Sequence, residues 1–178
     1  CPVNPICVQR LPNGNTFISS YNLLMEIRPD KSEVYRISPG PQYYMFSAHK
    51  TKNNRIVAIT AQGLLIELDA PSGKQVNARQ IQTQGNWCSV EMMPNGNYLV
   101  ASMFPNNNIQ GSVREIDRNT GADVWSKPFA GAFRATRLPN GNILVGSMTT
   151  RQVAEMDRSG AIRWSVTCAG RPWGIHYR

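Results

Sequence analysis

The chain has 178 residues, with 19 Lys and Arg against 11 Asp and Glu (formal charge +8), four Cys and two His. That length suits one domain or a piece of one, and the longest apolar runs, such as Tyr98 to Phe104, fall far short of the roughly 18 consecutive apolar residues of a membrane helix, so no membrane span is expected. Cys1, Cys7, Cys88 and Cys168 form no C-x-x-C pair, so no metal site is expected and the disulfide state stays open, while 14 Gly, 12 Pro and 16 Asn cut the chain into pieces too short for a helical bundle.

In chain order, the first predicted strand is Pro5 to Arg10, closed by the turn Leu11-Pro12-Asn13-Gly14-Asn15 and followed by Phe17-Ile18-Ser19-Ser20 and Met25-Glu26-Ile27. A worn turn at Pro29-Asp30 ends the first unit, residues 5–41. The second, 42–84, repeats the order with Thr51-Lys52-Asn53-Asn54-Arg55, Val57-Ala58-Ile59-Thr60 and Ile66-Glu67-Leu68-Asp69, then Ser72, Gly73 and Asn77. The third, 85–130, has Met93-Pro94-Asn95-Gly96-Asn97, Leu99-Val100-Ala101-Ser102, Arg114-Glu115-Ile116-Asp117 and a turn leading to Trp125. The fourth, 131–170, has Leu138-Pro139-Asn140-Gly141-Asn142, Leu144-Val145-Gly146-Ser147, Ala154-Glu155-Met156-Asp157 and Trp164. Residues 171–178 read as one more inner strand.

The turns start at 12, 52, 94 and 139, so the period is 40, 42 and 45 residues, the last lengthened by Phe104-Pro105-Asn106-Asn107-Asn108. Pro presets φ at the second turn position, and Asn then Gly tolerate the left-handed backbone that closes a hairpin. Asp117 and Asp157 are placed to cap their own turns, Gly121 and Gly160 to supply positive φ, and Trp125 and Trp164 to dock one repeat on the next. Four short antiparallel strands in about 42 residues make the blade of a β-propeller. A β-sandwich would not repeat its turn chemistry at a fixed period. The expected fold is all-β: four four-stranded blades and a spare inner strand, part of a larger propeller.

The run Asp117-Arg118-Asn119-Thr120-Gly121-Ala122-Asp123-Val124-Trp125 resembles the tryptophan-docking motif of PQQ-like, quinoprotein-type propeller repeats, clearest in the third and fourth units. Quinoprotein dehydrogenases of that kind hold their quinone on adjacent cysteines, and no two cysteines are adjacent here, so no cofactor is expected. The turns also resemble those of bacterial arylsulfotransferases, which use a His nucleophile. His49 and His176 both fall in predicted inner strands and match no nucleophile motif. The resemblance favours an extracytoplasmic location but speaks to fold more than to function, since one fold serves many activities; the expected function is a non-catalytic binding or scaffolding module, with an enzyme of sulfotransferase-like or quinoprotein-like type as the alternative.

Tyr44, Trp87, Phe133 and Trp173 stand at the starts of inner strands, with Arg134 and Arg171 beside them. These rings read either as wedges between neighbouring blades or, with the arginines, as the candidate surface for an anionic or sugar-like ligand. Arg10, Lys50, Arg137 and Arg178 share one register before the turns, which reads as solvated turn-flanking charge or as a partial ring of positive charge. The Arg residues are scattered instead of clustered, which disfavours nucleic acid as a partner. The expected partner is another chain, or a missing domain that completes the propeller.

Overall fold

The computed structural model describes residues 4–81, 87–103 and 110–175. They form four antiparallel four-stranded sheets, each built from strands consecutive in sequence. The first blade is β1 (Cys7–Arg10), β2 (Thr16–Ser19), β3 (Leu24–Ile27) and β4 (Glu33–Ile37). The second is β5 (Met45–Lys50), β6 (Arg55–Thr60), β7 (Leu64–Asp69) and β8 (Gln75–Gln80). The third is β9 (Cys88–Met92), β10 (Tyr98–Ser102), β11 (Ser112–Ile116) and β12 (Asp123–Pro128). The fourth is β13 (Ala132–Arg137), β14 (Ile143–Ser147), β15 (Gln152–Met156) and β16 (Ile162–Thr167). These are the blades of a β-propeller, with no helix among the described residues.

The repeated pentapeptide closes each first hairpin in a specific way. Gly14, Gly96 and Gly141 donate their N–H to the carbonyls of Leu11, Met93 and Leu138, and all three have φ between 83° and 88°. The preceding Asn keeps an ordinary negative φ and uses its side chain instead: Asn13 Oδ1 accepts from the Asn15 N–H at 3.0 Å, and Asn95 and Asn140 do the same. Asn was expected to share the left-handed backbone, but the glycine alone carries it because only the last turn residue must reverse the twist. In the second blade Asn54, with φ 54°, does the glycine's work.

Three apolar cores lie between consecutive blades. Leu11, Phe17, Leu24 and Ile37 of the first meet Ala48, Ile56, Ile66 and Leu68 of the second. Val57, Ile59 and Leu65 then meet Val90, Tyr98, Val100 and Ile116 of the third, and Leu99, Ala101 and Val113 meet Ala135, Ile143, Val145 and Met156 of the fourth. Strands β6 and β10 are therefore covered on both faces, which explains runs such as Ile56-Val57-Ala58-Ile59 that do not alternate. No comparable core joins the fourth blade to the first among the described residues. Arg134 reaches across, with Nη2 donating to the Ile6 carbonyl at 3.3 Å and Nη1 to Ser47 Oγ at 3.2 Å.

Of the expected spare strand, only Arg171–Ile175 lies among the described residues, and it joins no ladder. Pro172 and Ile175 nonetheless press on β14, where a Cβ added to Gly146 would meet Ile175 Cγ2 at 3.3 Å. His176 and Arg178 lie outside the described residues, as do Cys1 and the insertion at Phe104.

Candidate functional site

At the end of the molecule where inner strands begin, the aromatic residues gather into two groups. Trp87, Phe133 and Trp173 come from three different repeats and meet with ring centroids 5.7–6.1 Å apart. Phe133 is buried, whereas Trp87 and Trp173 remain 41% and 57% exposed. Tyr44 stands apart from them. It stacks on Tyr21 at 4.4 Å with an interplanar angle of 8°, and both rings meet Phe46 edge-on. Phe46 and Phe133 each sit at a β-bulge, between Met45 and Ser47 and between Ala132 and Arg134, which turns the ring out of the strand's ordinary alternation. The Arg134 guanidinium lies 5.4 Å from the Phe133 centroid, but two of its nitrogens already serve Ile6 and Ser47. Arg171 is exposed beside this group in sequence.

Along the sides of the blades a second arrangement repeats, and composition did not disclose it. In three blades the two asparagines of the turn clamp one glutamate on the third strand. Asn13 and Asn15 donate to Glu26 Oε1, Asn95 and Asn97 to Glu115 Oε1, and Asn140 and Asn142 to Glu155 Oε1. In every blade this glutamate pairs across the sheet with the docking residue, giving Glu26 with Tyr35, Glu67 with Asn77, Glu115 with Trp125 and Glu155 with Trp164, and a register shift follows each.

Three of the four glutamates hold a cation from the next blade. Glu26 pairs with Lys50, whose ammonium lies 5.1 Å from the Tyr35 ring centroid. Glu67 takes Arg118 through both oxygens, at 2.5 and 2.6 Å, and also accepts from the Tyr98 hydroxyl. Glu115 pairs with Arg158, whose guanidinium lies 5.3 Å from the Trp125 ring centroid. Burial works against each of these charges, but the donors outweigh it and hold all three carboxyls below their ordinary range. The docking residue completes the grip: Trp125 Nε1 donates to the Arg158 carbonyl at 2.8 Å, and Asn77 Nδ2 to the Arg118 carbonyl at 3.1 Å.

The turns that carry those arginines are rigid. Asp117 accepts from the N–H groups of Asn119 and Thr120 and from Thr120 Oγ1, and Asp157 from the N–H groups of Ser159 and Ala161 and from Ser159 Oγ. Gly121 and Gly160 have φ 77° and 94°. A Cβ added to Gly160 would come within 2.9 Å of the Lys127 side chain, because this turn lies flat on the preceding blade's outer strand. Trp164 differs from Trp125 in that it is 52% exposed.

Lys50 is buried between blades with Glu26 and Arg137 is half-buried, so at these two positions the register of basic residues is not solvated charge, whereas Arg10 is exposed and Arg178 lies outside the described residues. His49 occupies the register of Gln9 and Glu91, side chains that reach the next inner strand's backbone at Lys50 and Arg137. Burial lowers the His49 pKa and pushes the Cys88 thiol up to about 12. Among the described residues no group of three His, Cys, Asp or Glu side chains is placed to hold a metal ion.

A family model described as outer membrane protein assembly factor BamB matches residues 110–174, the stretch that carries both docking tryptophans. The chain is a β-propeller, and this stretch of it is similar to PQQ-like repeats. Among solved structures, this propeller resembles virginiamycin B lyase from Staphylococcus aureus, at 12% identity and TM-score 0.65, covering 95% of this chain and 57% of that one. It also resembles the WD40 domain of Toxoplasma gondii coronin, at 10% identity and TM-score 0.71, covering 93% and 46%. BamB from Moraxella catarrhalis is similar at 16% identity and TM-score 0.60, covering 90% and 48%. The chain thus spans about half the length of these structures, and at such identities the likeness is one of fold. No curated protein matches the sequence.

Proposed function

We propose that this PQQ-like propeller segment is a non-catalytic binding or scaffolding module, four repeat units of a larger propeller, which meets its partner through the aromatic end. The observation that carries this reading is the meeting of Trp87, Phe133 and Trp173 from three separate repeats, with the two indoles about half exposed. Large, rigid, amphipathic rings give contact area at little entropic cost, and Arg171 beside them suits an anionic or sugar-like group. The lyase among the structural neighbours shows that enzymes also stand on this fold, but His49 is only partly exposed on an inner strand, which limits a substrate's access to it. An extracytoplasmic location belongs to the same reading and is supported by the family match.

The test uses indole fluorescence during titration with sulfated and uronate-containing oligosaccharides. Saturable quenching that Trp87→Ala and Trp173→Ala each reduce at least about tenfold in affinity, with folding intact, is the expected result. Unchanged binding together with lost stability would make the rings wedges between neighbouring segments and defeat the reading.

A further inference from the structure

The two aromatic groups at the end where inner strands begin belong to one continuous surface. Phe46 meets Tyr21 and Tyr44 edge-on, with centroids 5.9 and 5.7 Å apart. The next residue, Ser47, accepts from Arg134 Nη1 at 3.2 Å, and the Arg134 guanidinium lies 5.4 Å from the Phe133 centroid. Phe133 rests on Met103 and Met148 and meets both Trp87 and Trp173. One guanidinium therefore stands between two ring platforms, Tyr21 with Tyr44 on one side and Trp87 with Trp173 on the other.

Backbone geometry singles out Trp87 within this surface. Tyr44, Trp87 and Gly131 hold equivalent places just before their inner strands, where their carbonyls accept from Ala61, Met103 and Met148 at 2.7, 3.1 and 3.0 Å. Gly131 has φ 67°, and Trp87 has φ 65°. That conformation is ordinary for glycine and disfavoured for a bulky side chain, so the indole stands where a glycine serves the fold in the next repeat. Strain of this kind clusters at ligand clamps. The charge of this end is also one-sided. The segments that join strands there, 20–23, 38–44, 61–63, 81–87, 103–111, 129–131 and 148–151, contain no Asp or Glu, and their one charged residue is Arg151.

From the bridged platforms and the one-sided charge we propose that the aromatic end has two stacking subsites and takes an extended acidic oligosaccharide, with one sugar on the Tyr21 and Tyr44 stack, another on Trp87 and Trp173, and the acid groups of the chain facing Arg134 and Arg171. The inference rests on the reading of the aromatic end as a binding surface and adds to it the length and charge of what binds. Flat rings suit the apolar face of a pyranose, whose hydroxyls and carboxylates stay free for the arginines. An acidic peptide supplies the charge without that flat face and is the competing occupant.

The experiment follows indole quenching and isothermal heat during titration with digalacturonate and hexagalacturonate. The hexamer is expected to bind at least about a hundredfold more tightly than the dimer, because its second contact is intramolecular, and its fully methyl-esterified form at least about tenfold more weakly than the free acid. Tyr44→Ala should remove the length gain and leave dimer quenching at the tryptophans unchanged; Tyr21→Leu takes its place where Tyr44→Ala fails to fold. Trp87→Gly, which copies Gly131, should keep the fold and weaken both lengths at least about tenfold. A hexamer no tighter than the dimer, or a length gain that survives the tyrosine variant, overturns the second subsite and leaves the single-site reading standing. Binding of hexaglutamate as tight as that of hexagalacturonate overturns the sugar as occupant, and the absence of saturable binding by every oligosaccharide overturns both readings.

Discussion

Arg114 stands where the other three blades carry Met25, Ile66 and Ala154, facing the second blade from the third. Arg114 is 5% exposed and its Nη1 donates to Asp123 at 3.3 and 3.5 Å, leaving Nε and Nη2 without partners among the described residues. Buried donors left unpaired cost about 1–3 kcal/mol, and buried ion pairs are often replaced by apolar groups without loss. Arg114→Met, which copies the first blade, is therefore expected to raise unfolding stability by about 1–2 kcal/mol, read from the urea midpoint at constant slope. A comparable loss would mean that the guanidinium holds something the protein needs, and would refute the account. The substitution is legible only once the units are in register. The same is true of the asparagine clamps: the sequence displays Asn13 and Asn15 as turn residues, and their second use, on a glutamate 11 to 13 positions away, appears only when the hairpin folds back.

Each third-to-fourth-strand hairpin joins a glutamate, a bulge and a docking residue into one unit, and its energy depends on the neighbour it meets. Trp125 and Trp164 are nearly identical in sequence context, so propensity alone predicts equal importance. The structure separates them, because Trp125 Nε1 is bonded at 2.8 Å and its ring carries the Arg158 guanidinium, whereas Trp164 faces solvent. Trp125→Ala should cost about 2 kcal/mol, below the range for a fully buried Trp, and Trp164→Ala no more than about 0.5 kcal/mol, in thermal unfolding of the same chain. Equal costs would show that Trp164 is covered in solution. The strands and turns were readable because period-2 patterning and Gly fix them locally. Docking partners were not, because they depend on side chains 24 to 51 residues apart, such as Lys50 on Glu26 and Arg118 on Glu67. The aromatic end was partly readable: the positions at strand starts identified the rings, but their division into a Trp87 group and a Tyr44 group follows from bulges that alternation does not reveal.

Across the whole molecule, four blades share three cores, so the second and third blades are covered on both sides and the first and fourth on one. Stability in such an array is close to a sum of blade and nearest-neighbour terms, and the uneven cover becomes an uneven resistance to opening. Strands β6 and β10 are buried along nearly their whole length, whereas every residue of β16 is exposed and β1 alternates between half-buried and exposed. The charge follows the same logic. Glu26, Glu67 and Glu115 are consumed in bridges between blades, so the formal +8 sits on a surface whose internal acids are already paired, and Glu155 is the latch acid facing outward. Amide hydrogen exchange measured peptide by peptide should therefore be slowest over residues 55–60 and 98–102 and fastest, among the strands, over 162–167, with the first blade intermediate. A uniform profile would show that all four blades open together as one unit, and the additive picture, with its free terminal side, would have to be abandoned.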